Sequence, residues 1–576
     1  MLSLPAGKSG FSSASGALIF LILIHLFTAC RQEIQPSVII HHANVWSGVE
    51  GAPFYKAIAI AGDSILAVGD SEELLEMAGD GTRLIDAGGK LVMAGFNDAH
   101  IHFLGGSVGL TQVELSSTTS AREVTDQTNR FILDNPNAKW ITGRGWQYTF
   151  YPGGLPSHET MAGIKTDKPL FIRAYDGHSA YANRQALALA GIRKGTRFDG
   201  FGEIVFDRFG EPTGVLKESA MDLVRSLIPP LTREDNLAAL RKGLRLAASL
   251  GITSAQNASG SPEELSLYLE LLRSGELTMR YAAAFGVDET TTEADLARYS
   301  FLKDSIGSGN TMLRADAIKF MIDGVIESHT GAMIGKYDDL KETDPLATGQ
   351  VSMPIPDFER LVAELDRRKF RIYTHAIGDL GVRRTLDAYE KAMEANGVRD
   401  ARHRVEHIET ISDADLPRFA TLGVMPSMEP IHADPATISV WETAIGKARI
   451  GNSFAWASML KNKAKLVYSS DWPACISLDP IRGIHVAVNR RTPSGFPEGG
   501  WIPEQRISMA EALKAYTSMG AYSSFEEGIK GTLEAGKLAD VIMLSQDLFT
   551  IDPMKTADTR VLLTIVNGQV VFERNP

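Results

Sequence analysis

Eight short apolar segments between residues 91 and 470 restrict the fold of this chain more than any other feature. Most are separated by stretches of helical periodicity, such as REDNLAALRKGLRLAASL and IPDFERLVAELDRRK. Strands that alternate with helices predict an α/β protein, and eight such strands predict a (β/α)8 TIM barrel. The predicted strands span residues 91–97, 252–257, 279–285, 315–321, 371–375, 403–408, 423–427 and 465–470.

The rest of the chain divides into an insertion and two β-rich ends. The gap after the first strand is far too long for a simple crossover, so we expect an insertion at about residues 105–215 of a barrel domain that spans 93–529. Residues 37–92 and 530–576 carry short alternating runs with turn signals, among them Asn567-Gly568, a strong hairpin signal. We expect the two ends to meet in one small composite β domain.

Charge and cysteine content exclude several classes of protein and site. The formal net charge is −12 and the sequence has no basic run, so we expect no nucleic-acid partner. With only Cys30 and Cys475, a disulfide framework and a cysteine-rich metal site are both excluded. A metal in this protein must be held by His, Asp, Glu or Lys side chains.

The N-terminal segment GALIFLILIHLFTAC indicates export. Its apolar run, 17–27, is short for a bilayer span, and the small residues Thr28 and Ala29 precede Cys30. It resembles a bacterial lipoprotein signal peptide covering residues 1–30. We therefore expect a lipid anchor on Cys30 and a place in the bacterial cell envelope. A plain signal peptide and an uncleaved anchor are the alternatives.

Residues of metal-binding types lie at the ends of several predicted strands. His100 and His102 in NDAHIHF are two residues apart, and side chains at i and i+2 of a strand point to the same face. In a TIM barrel the carboxyl ends of all strands meet on one face, so residues there converge. Each residue alone has an ordinary structural explanation, but their coincidence favours a zinc site. The later strands supply Lys319, His375, His407 and Asp471.

Several motifs in order resemble the amidohydrolase superfamily, and more closely amidohydrolase family 3, which includes N-substituted formamide deformylases. They are GGKLVMAGFNDAHIH, RGW, DGHSAYANRQAL, GVLKE, AIKFMIDG, THAIGD, RHRVEHIE and SSDWP. The resemblance implies that the two β-rich ends form a composite β-sandwich beside the barrel. The chain departs from the expected pattern at Gln256-Asn257, at Ser469, where Gly is usual, and at Glu429, where Gln is common. These departures leave the substrate open.

The resemblance also implies a mechanism. Lys319 would be carboxylated and would bridge two metals, expected to be zinc. His100 and His102 would hold one metal, and His375 and His407 the other. A metal-activated hydroxide would attack a non-peptide amide (C–N) bond, with Asp471 as a metal ligand and as the residue that moves the proton. If Lys319 is not carboxylated, the site holds one metal.

Substrate contacts and competing functions stay open at this stage. Trp146 in the expected insertion and His432 after the seventh strand are candidate substrate-binding residues, and Glu218 and Asn183 are weaker ones. His178 is the candidate hydrogen-bond donor to the substrate carbonyl or oxyanion. The alternatives are a deaminase or cyclic-amide hydrolase with the same site, or an inactive lipid-anchored binding protein. We expect a small-molecule substrate. A homodimer is possible, but no feature of the sequence indicates the oligomeric state.

Overall fold

Eight parallel strands stand in one sheet in the order in which they occur along the chain. The computed structural model describes Ser3 and residues 34–175, 179–199, 202–307, 309–475 and 477–574. The sheet closes where the Asp471 N–H donates to the His100 carbonyl at 2.8 Å and the His102 N–H donates to the Trp472 carbonyl at 2.9 Å. The barrel strands are β1 (Phe96–Ile101), β2 (Ile252–Asn257), β3 (Arg280–Gly286), β4 (Leu313–Met321), β5 (Arg371–Ala376), β6 (Arg404–His407), β7 (Met425–Met428) and β8 (Val467–Tyr468).

This architecture confirms the predicted fold class, but the bounds of the first predicted strand are wrong. The segment 91–97 contains parts of two strands, because Leu91–Ala94 belongs to the small domain and β1 begins at Phe96. Gly95 lies between them, and a Cβ at this position would clash with the side chain of Thr253 on β2. Both strands are buried along their whole length, so an apolar run alone does not reveal where one ends.

Helices cover the outside of the barrel and begin at clear sequence signals. Thr232 and Thr292 each cap a helix with a reciprocal capping box that includes the Asp three residues later. The helix Ile355–Arg367 buries one apolar face against the sheet. Within the described ranges, and counting those of the sandwich and the insertion, the α-helices are Ser71–Leu75, Phe103–Gly109, Ala121–Asp134, Arg184–Leu189, Asp222–Arg225, Arg233–Ser249, Pro262–Arg273, Glu293–Ile306, Ile355–Arg367, Asp379–Asn396, Leu416–Leu422, Ser439–Ile445, Trp456–Lys461, Pro480–Asn489, Met509–Ala515 and Ser518–Ser523.

A small β-sandwich joins the two ends of the chain. One of its sheets combines strands from before the barrel with strands from after it, and its apolar core is separate from that of the barrel. A buried ion pair between Arg280 of β3 and Asp540, 2.6 Å apart, fixes the sandwich to the barrel. The four-stranded sheet holds Val38–His41, Ala57–Ala61, Ser64–Gly69 and Arg83–Asp86; the five-stranded sheet holds Asn44–Val45, Leu91–Ala94, Val541–Leu544, Val561–Val566 and Gln569–Glu573.

The insertion between β1 and β2 is a small domain of its own. It carries a six-stranded sheet with two separate apolar clusters, and the chain then returns to the barrel through the helix Arg233–Ser249. Its strands are Val113–Glu114, Ile141–Trp146, Leu170–Ala174, Ser179–Ala182, Gly202–Phe206 and Pro212–Glu218.

The predicted lipoprotein segment cannot be placed in this fold. Cys30 and the apolar run before it lie outside the described residues. Among the helices of the described ranges, none combines the length and the apolar character that a bilayer crossing requires.

Candidate metal centre

A cavity of about 850 Å³ opens at the carboxyl ends of the barrel strands. Six of the residues predicted for the site line it, namely His102, Lys319, His375, His407, His432 and Asp471. His100 lies directly behind them, because its Nε2 is 3.4 Å from the Lys319 Nζ and 3.5 Å from Asp471 Oδ1. The barrel therefore brings together residues that lie up to 371 positions apart in sequence, from His100 to Asp471.

The ligand atoms of His100, His407 and Asp471 all lie within 4.8 Å of one another, and all three residues are buried. His102 joins this group, with its Nε2 3.4 Å from Asp471 Oδ1. His102 follows β1 at the start of the helix Phe103–Gly109, which explains why it is more exposed than His100. These four residues form the centre of the candidate site.

Two of these residues adopt unusual backbone conformations. His407 has a φ of 74° and Asp471 a φ of 52°, in the left-handed region that non-glycine residues seldom occupy. Ile408, next to His407, has a φ of 50°, which is rarer still for a β-branched residue. Such conformations are held at a cost in free energy and concentrate at functional sites. Both side chains line the cavity, His407 from the last position of β6 and Asp471 from three residues after the end of β8.

Buried carboxylates orient two of the histidines from behind. Glu406 Oε2 is 2.6 Å from His100 Nδ1, and its other oxygen accepts a hydrogen bond of 2.7 Å from Arg404. Glu429 Oε2 is 2.8 Å from His407 Nδ1, and its other oxygen accepts a hydrogen bond of 2.8 Å from Ser469. A carboxylate accepts the Nδ1–H of each ring, so that Nε2 is left with a free lone pair facing the cavity.

Burial sets the charge state of the basic groups. It lowers the pKa of His100, His375 and His407 well below the usual value for histidine, and it lowers the pKa of His102 to about 4. These imidazoles are therefore neutral at pH 7, the form that binds metals. Burial also lowers the pKa of Lys319, which favours the uncharged amine that reacts with CO2.

His375 lies beside this cluster in a different hydrogen-bonding arrangement. Its ring centre is 4.5 Å from that of His407, as expected for neighbouring ligands. Its Nε2 is 3.0 Å from the Gly324 carbonyl oxygen, which can only accept, so this nitrogen carries the proton and donates. Binding of a metal through Nε2 would require this hydrogen bond to break.

His432 faces the reactive end of the cavity, as predicted from its position after β7. Its Nε2 is 3.6 Å from Asp471 Oδ2, and its Nδ1 is 3.2 Å from Glu409 Oε1. Burial alone would lower the pKa of His432, but the hydrogen bond to Glu409 and the charges of Glu429 and Asp471 raise it to about 9. Trp441 donates 2.8 Å to the other oxygen of Glu409 and so holds this pair in place. His432 is thus a cationic donor beside the metal-binding cluster.

Three described candidates, Trp146, Asn183 and Glu218, are not among the residues that line the cavity. Trp146 is fully buried in an apolar cluster of the insertion, where its indole N–H donates to the Ile172 carbonyl at 2.9 Å. Asn183 caps the helix Arg184–Leu189. Glu218 ends the last strand of the insertion and is not part of the cavity lining. The substrate-binding roles of Trp146 and Glu218 therefore stay predictions, and His178 lies outside the described residues.

Sequence reasoning missed the supporting carboxylates Glu406, Glu429 and Glu409. A signal for Glu406 was present, because Arg404 and Glu406 are two residues apart in a strand, and opposite charges at i and i+2 can pair on one face. No comparable local signal marks Glu429, whose partners His407 and Ser469 are 22 and 40 residues away.

The donors that are present fit a divalent metal ion. Asp471 Oδ1 is buried and accepts no hydrogen bond from any described residue, although the Nε2 atoms of His100 and His102 lie 3.5 and 3.4 Å from it. Ligands about 2.0–2.1 Å from a tetrahedral zinc ion are about 3.3–3.4 Å from one another. A buried carboxylate oxygen without a partner, surrounded by neutral imidazoles at this spacing, is the donor set that zinc prefers.

Comparisons with known proteins agree with this geometry. The chain is 29% identical to Protein LONG AFTER FAR-RED 3 of Arabidopsis thaliana over 98% of both chains. It is 25% identical to the N-substituted formamide deformylase of Arthrobacter pascens, over 90% of this chain and 95% of that protein. Its fold matches the crystal structure of an uncharacterized metal-dependent hydrolase from Pyrococcus horikoshii with a TM-score of 0.69 at 24% identity, over 90% of this chain and 99% of that one. Residues 83–572 match the model of the amidohydrolase family, and the chain therefore belongs to that family of hydrolases.

Proposed function

We propose that this protein is a zinc-dependent hydrolase that cleaves a non-peptide amide (C–N) bond in a small molecule. Family membership gives the coarser assignment, a hydrolase. The observation that carries the zinc dependence is the unpartnered Asp471 Oδ1 among neutral histidines at the mouth of the barrel. The relative from Arthrobacter pascens, a deformylase of N-substituted formamides, suggests formamides as the first substrates to try.

The residues of this chain have distinct tasks in the proposed reaction. His100, His102, His407 and Asp471 would hold zinc, and a carboxylated Lys319 would allow a second ion beside His375. Zinc supplies a Lewis acid for the amide carbonyl and lowers the pKa of water in the site. Asp471 is placed to accept the proton of the attacking water and to pass it to the leaving amine. His432, cationic because of Glu409, is placed to donate a hydrogen bond to the oxygen that becomes negative.

Metal content and amide hydrolysis measured on the same preparations test this function. The chain lacking its first 30 residues, reconstituted with zinc and bicarbonate, is compared with Lys319→Ala and with the exposed-lysine control Lys447→Ala. In this test only barrel zinc is counted, as the total less any zinc that remains bound when His100 and His102 are both replaced by Ala. We expect about two barrel zinc ions per chain, fewer in Lys319→Ala, no change in the control, and release of formate and amine from an N-alkylformamide.

The other outcomes separate the alternatives. One zinc ion per chain, unchanged by Lys319→Ala, would assign Lys319 a structural role and leave a one-metal hydrolase. Ammonia release from an amidine or an aromatic amine, without amide cleavage, would replace amide hydrolysis by deamination. A protein that binds no zinc after reconstitution would refute the proposed function and leave a binding protein.

The cellular location is a separate proposal, which rests on the sequence before Arg31. We propose that Cys30 is lipidated and anchors the protein in a bacterial envelope membrane. Mass spectrometry of the mature N-terminus would show a diacylated cysteine, and Cys30→Ser would release the protein from the membrane fraction. An N-terminus at another residue would refute the anchor without affecting the hydrolase.

A further inference from the structure

A second group of metal-binding side chains lies on the β-sandwich, outside the barrel cavity. His41 Nδ1 is 3.2 Å from His42 Nδ1, and His42 Nδ1 is 3.1 Å from Asp86 Oδ2. The three ligand atoms all lie within 4.8 Å of one another. All three residues belong to the four-stranded sheet or follow its strands directly, and none lines the barrel cavity.

The backbone brings these side chains together by an unusual route. Successive residues of a strand point to opposite faces, so His41 and His42 would normally face apart. His42 instead leaves the strand Val38–His41 with a φ of 49°, and its N–H donates to Ser71 Oγ at 2.9 Å. Asp86 is the partner of His41 in the parallel pairing of their strands. The left-handed turn at His42 thus places two imidazoles beside one carboxylate.

We infer that His41, His42 and Asp86 form a second site for a divalent metal ion of the zinc type. The two ligand spacings, 3.1 and 3.2 Å, are close to the distance of about 3.3–3.4 Å between ligands of a tetrahedral zinc ion. Two imidazole nitrogens and one carboxylate oxygen are an established zinc ligand set with one position open to water. Solvent exposure of His42 and Asp86 provides room for that water.

An ordinary histidine–carboxylate pair explains the geometry less well. Two Nδ1 atoms that face each other can share only one proton, whereas a metal ion uses both lone pairs. The Gly88 N–H donates to Asp86 Oδ1 at 2.9 Å, which holds the carboxylate in place and leaves Oδ2 directed at His42. His329 and Asp339 show the simple case, because one imidazole nitrogen lies 3.0 Å from both carboxylate oxygens and no third ligand is part of the pair.

Zinc titration of the metal-free chain against a chromophoric chelator tests this site. His42→Gly removes the ring and leaves a residue that adopts a positive φ without strain, so the fold should persist. We expect this variant to bind one zinc ion fewer per chain than the parent, with the barrel stoichiometry unchanged. The matched control His329→Gly, at a position with a φ of 57°, removes the ring of the simple pair and should match the parent.

A second measurement identifies the ligands independently of the barrel site. With the barrel site filled by zinc, one equivalent of Cu²⁺ should give an electron paramagnetic resonance spectrum with coupling to two nitrogen nuclei. This spectrum should be lost in His42→Gly. In Asp86→Ala the affinity of the site for Cu²⁺ should fall at least tenfold, which corresponds to about 1.4 kcal/mol. Equal zinc stoichiometry in parent and His42→Gly, or a copper spectrum indifferent to that substitution, would overturn the inference.

Discussion

Buried polar groups are paired with one another at the amino ends of the barrel strands, whereas at the carboxyl ends one of them is left without a partner in the described ranges. At the amino ends, arginines at or next to the first residue of β3 to β6 are each paired with a carboxylate of the chain. These pairs are Arg280–Asp540, Arg314–Asp316, Arg371–Asp316 and Arg404–Glu406. At the carboxyl ends, neutral imidazoles surround Asp471, whose Oδ1 has no hydrogen-bond donor in the described ranges. We call the four arginine–carboxylate pairs the closed network and the histidines around Asp471 the open cluster. The closed network stabilises the fold, whereas the open cluster leaves a buried oxygen for a partner that the chain does not supply.

One residue connects the two ends. Arg404 is fully buried and donates to Gln256 at 2.8 Å, to the Ala99 carbonyl at 2.7 Å and to Glu406 at 2.7 Å. Glu406 in turn holds His100. The closed network is therefore connected to the metal-binding cluster through Arg404 and Glu406. Substitutions at the two ends of this connection should separate loss of stability from loss of activity.

The largest effect is expected at the open end. Asp471→Asn keeps the size of the side chain and removes its charge, so turnover of an N-alkylformamide should fall about 10⁴-fold. The unfolding free energy of the metal-free protein should change by less than about 1 kcal/mol, because burial opposes the charge of Asp471 and raises its pKa to about 7 despite the attraction of His432. Steady-state kinetics and guanidinium unfolding in the presence of a chelator measure the two quantities.

A large loss of stability in Asp471→Asn would place this residue in the closed network. It would then contradict the distinction between the two ends. Glu394→Gln, on the exposed face of the helix Asp379–Asn396, is the control for a neutralised carboxylate and should alter neither quantity.

The next effect is expected within the closed network. Arg404→Leu leaves Glu406 as an uncompensated buried charge, which should cost about 4 kcal/mol of unfolding free energy. The double variant Arg404→Leu/Glu406→Gln removes that charge and should recover part of the loss. Urea denaturation of the three proteins measures the difference. If the double variant were less stable than Arg404→Leu, the unpaired charge would not be the cause.

The sequence predicted the open end better than the closed one, for a physical reason. His100, His102, His375 and His407 stand out because histidine is rare in apolar strands, and the barrel fold alone is enough to bring strand ends together. The paired arginines depend on partners chosen by tertiary structure, as with Arg280 and Asp540, which are 260 residues apart. Trp146 stands out equally in the sequence, as an aromatic residue in a motif, but a motif position does not distinguish a substrate contact from a core position. In the structure its side chain is buried in the insertion.

A smaller loss is expected where the closed network crosses between domains. Asp540→Asn removes the charge that pairs with Arg280 but keeps an oxygen that accepts a hydrogen bond, while Arg280 retains its bond of 3.0 Å to the Thr311 carbonyl. We expect a loss of about 2 kcal/mol in unfolding free energy and no change in zinc content. Differential scanning calorimetry would also show whether the sandwich then melts separately. A fall in zinc content would mean that this distant pair supports the metal site.

The smallest effect is expected at Glu429, the carboxylate that orients His407. Ser469 and Glu429 are two departures from the expected family pattern, and the structure shows that they are hydrogen-bonded to each other at 2.8 Å. Ser469→Ala removes one hydrogen bond to a buried carboxylate, which should cost about 1.5 kcal/mol. Because Glu429 orients His407, zinc affinity should also fall, by about tenfold. Chelator competition measures this, with Glu429→Gln as the reference background. If Ser469 acts through Glu429, Ser469→Ala should have little further effect on zinc affinity in Glu429→Gln, whereas an undiminished effect would place the role of Ser469 elsewhere.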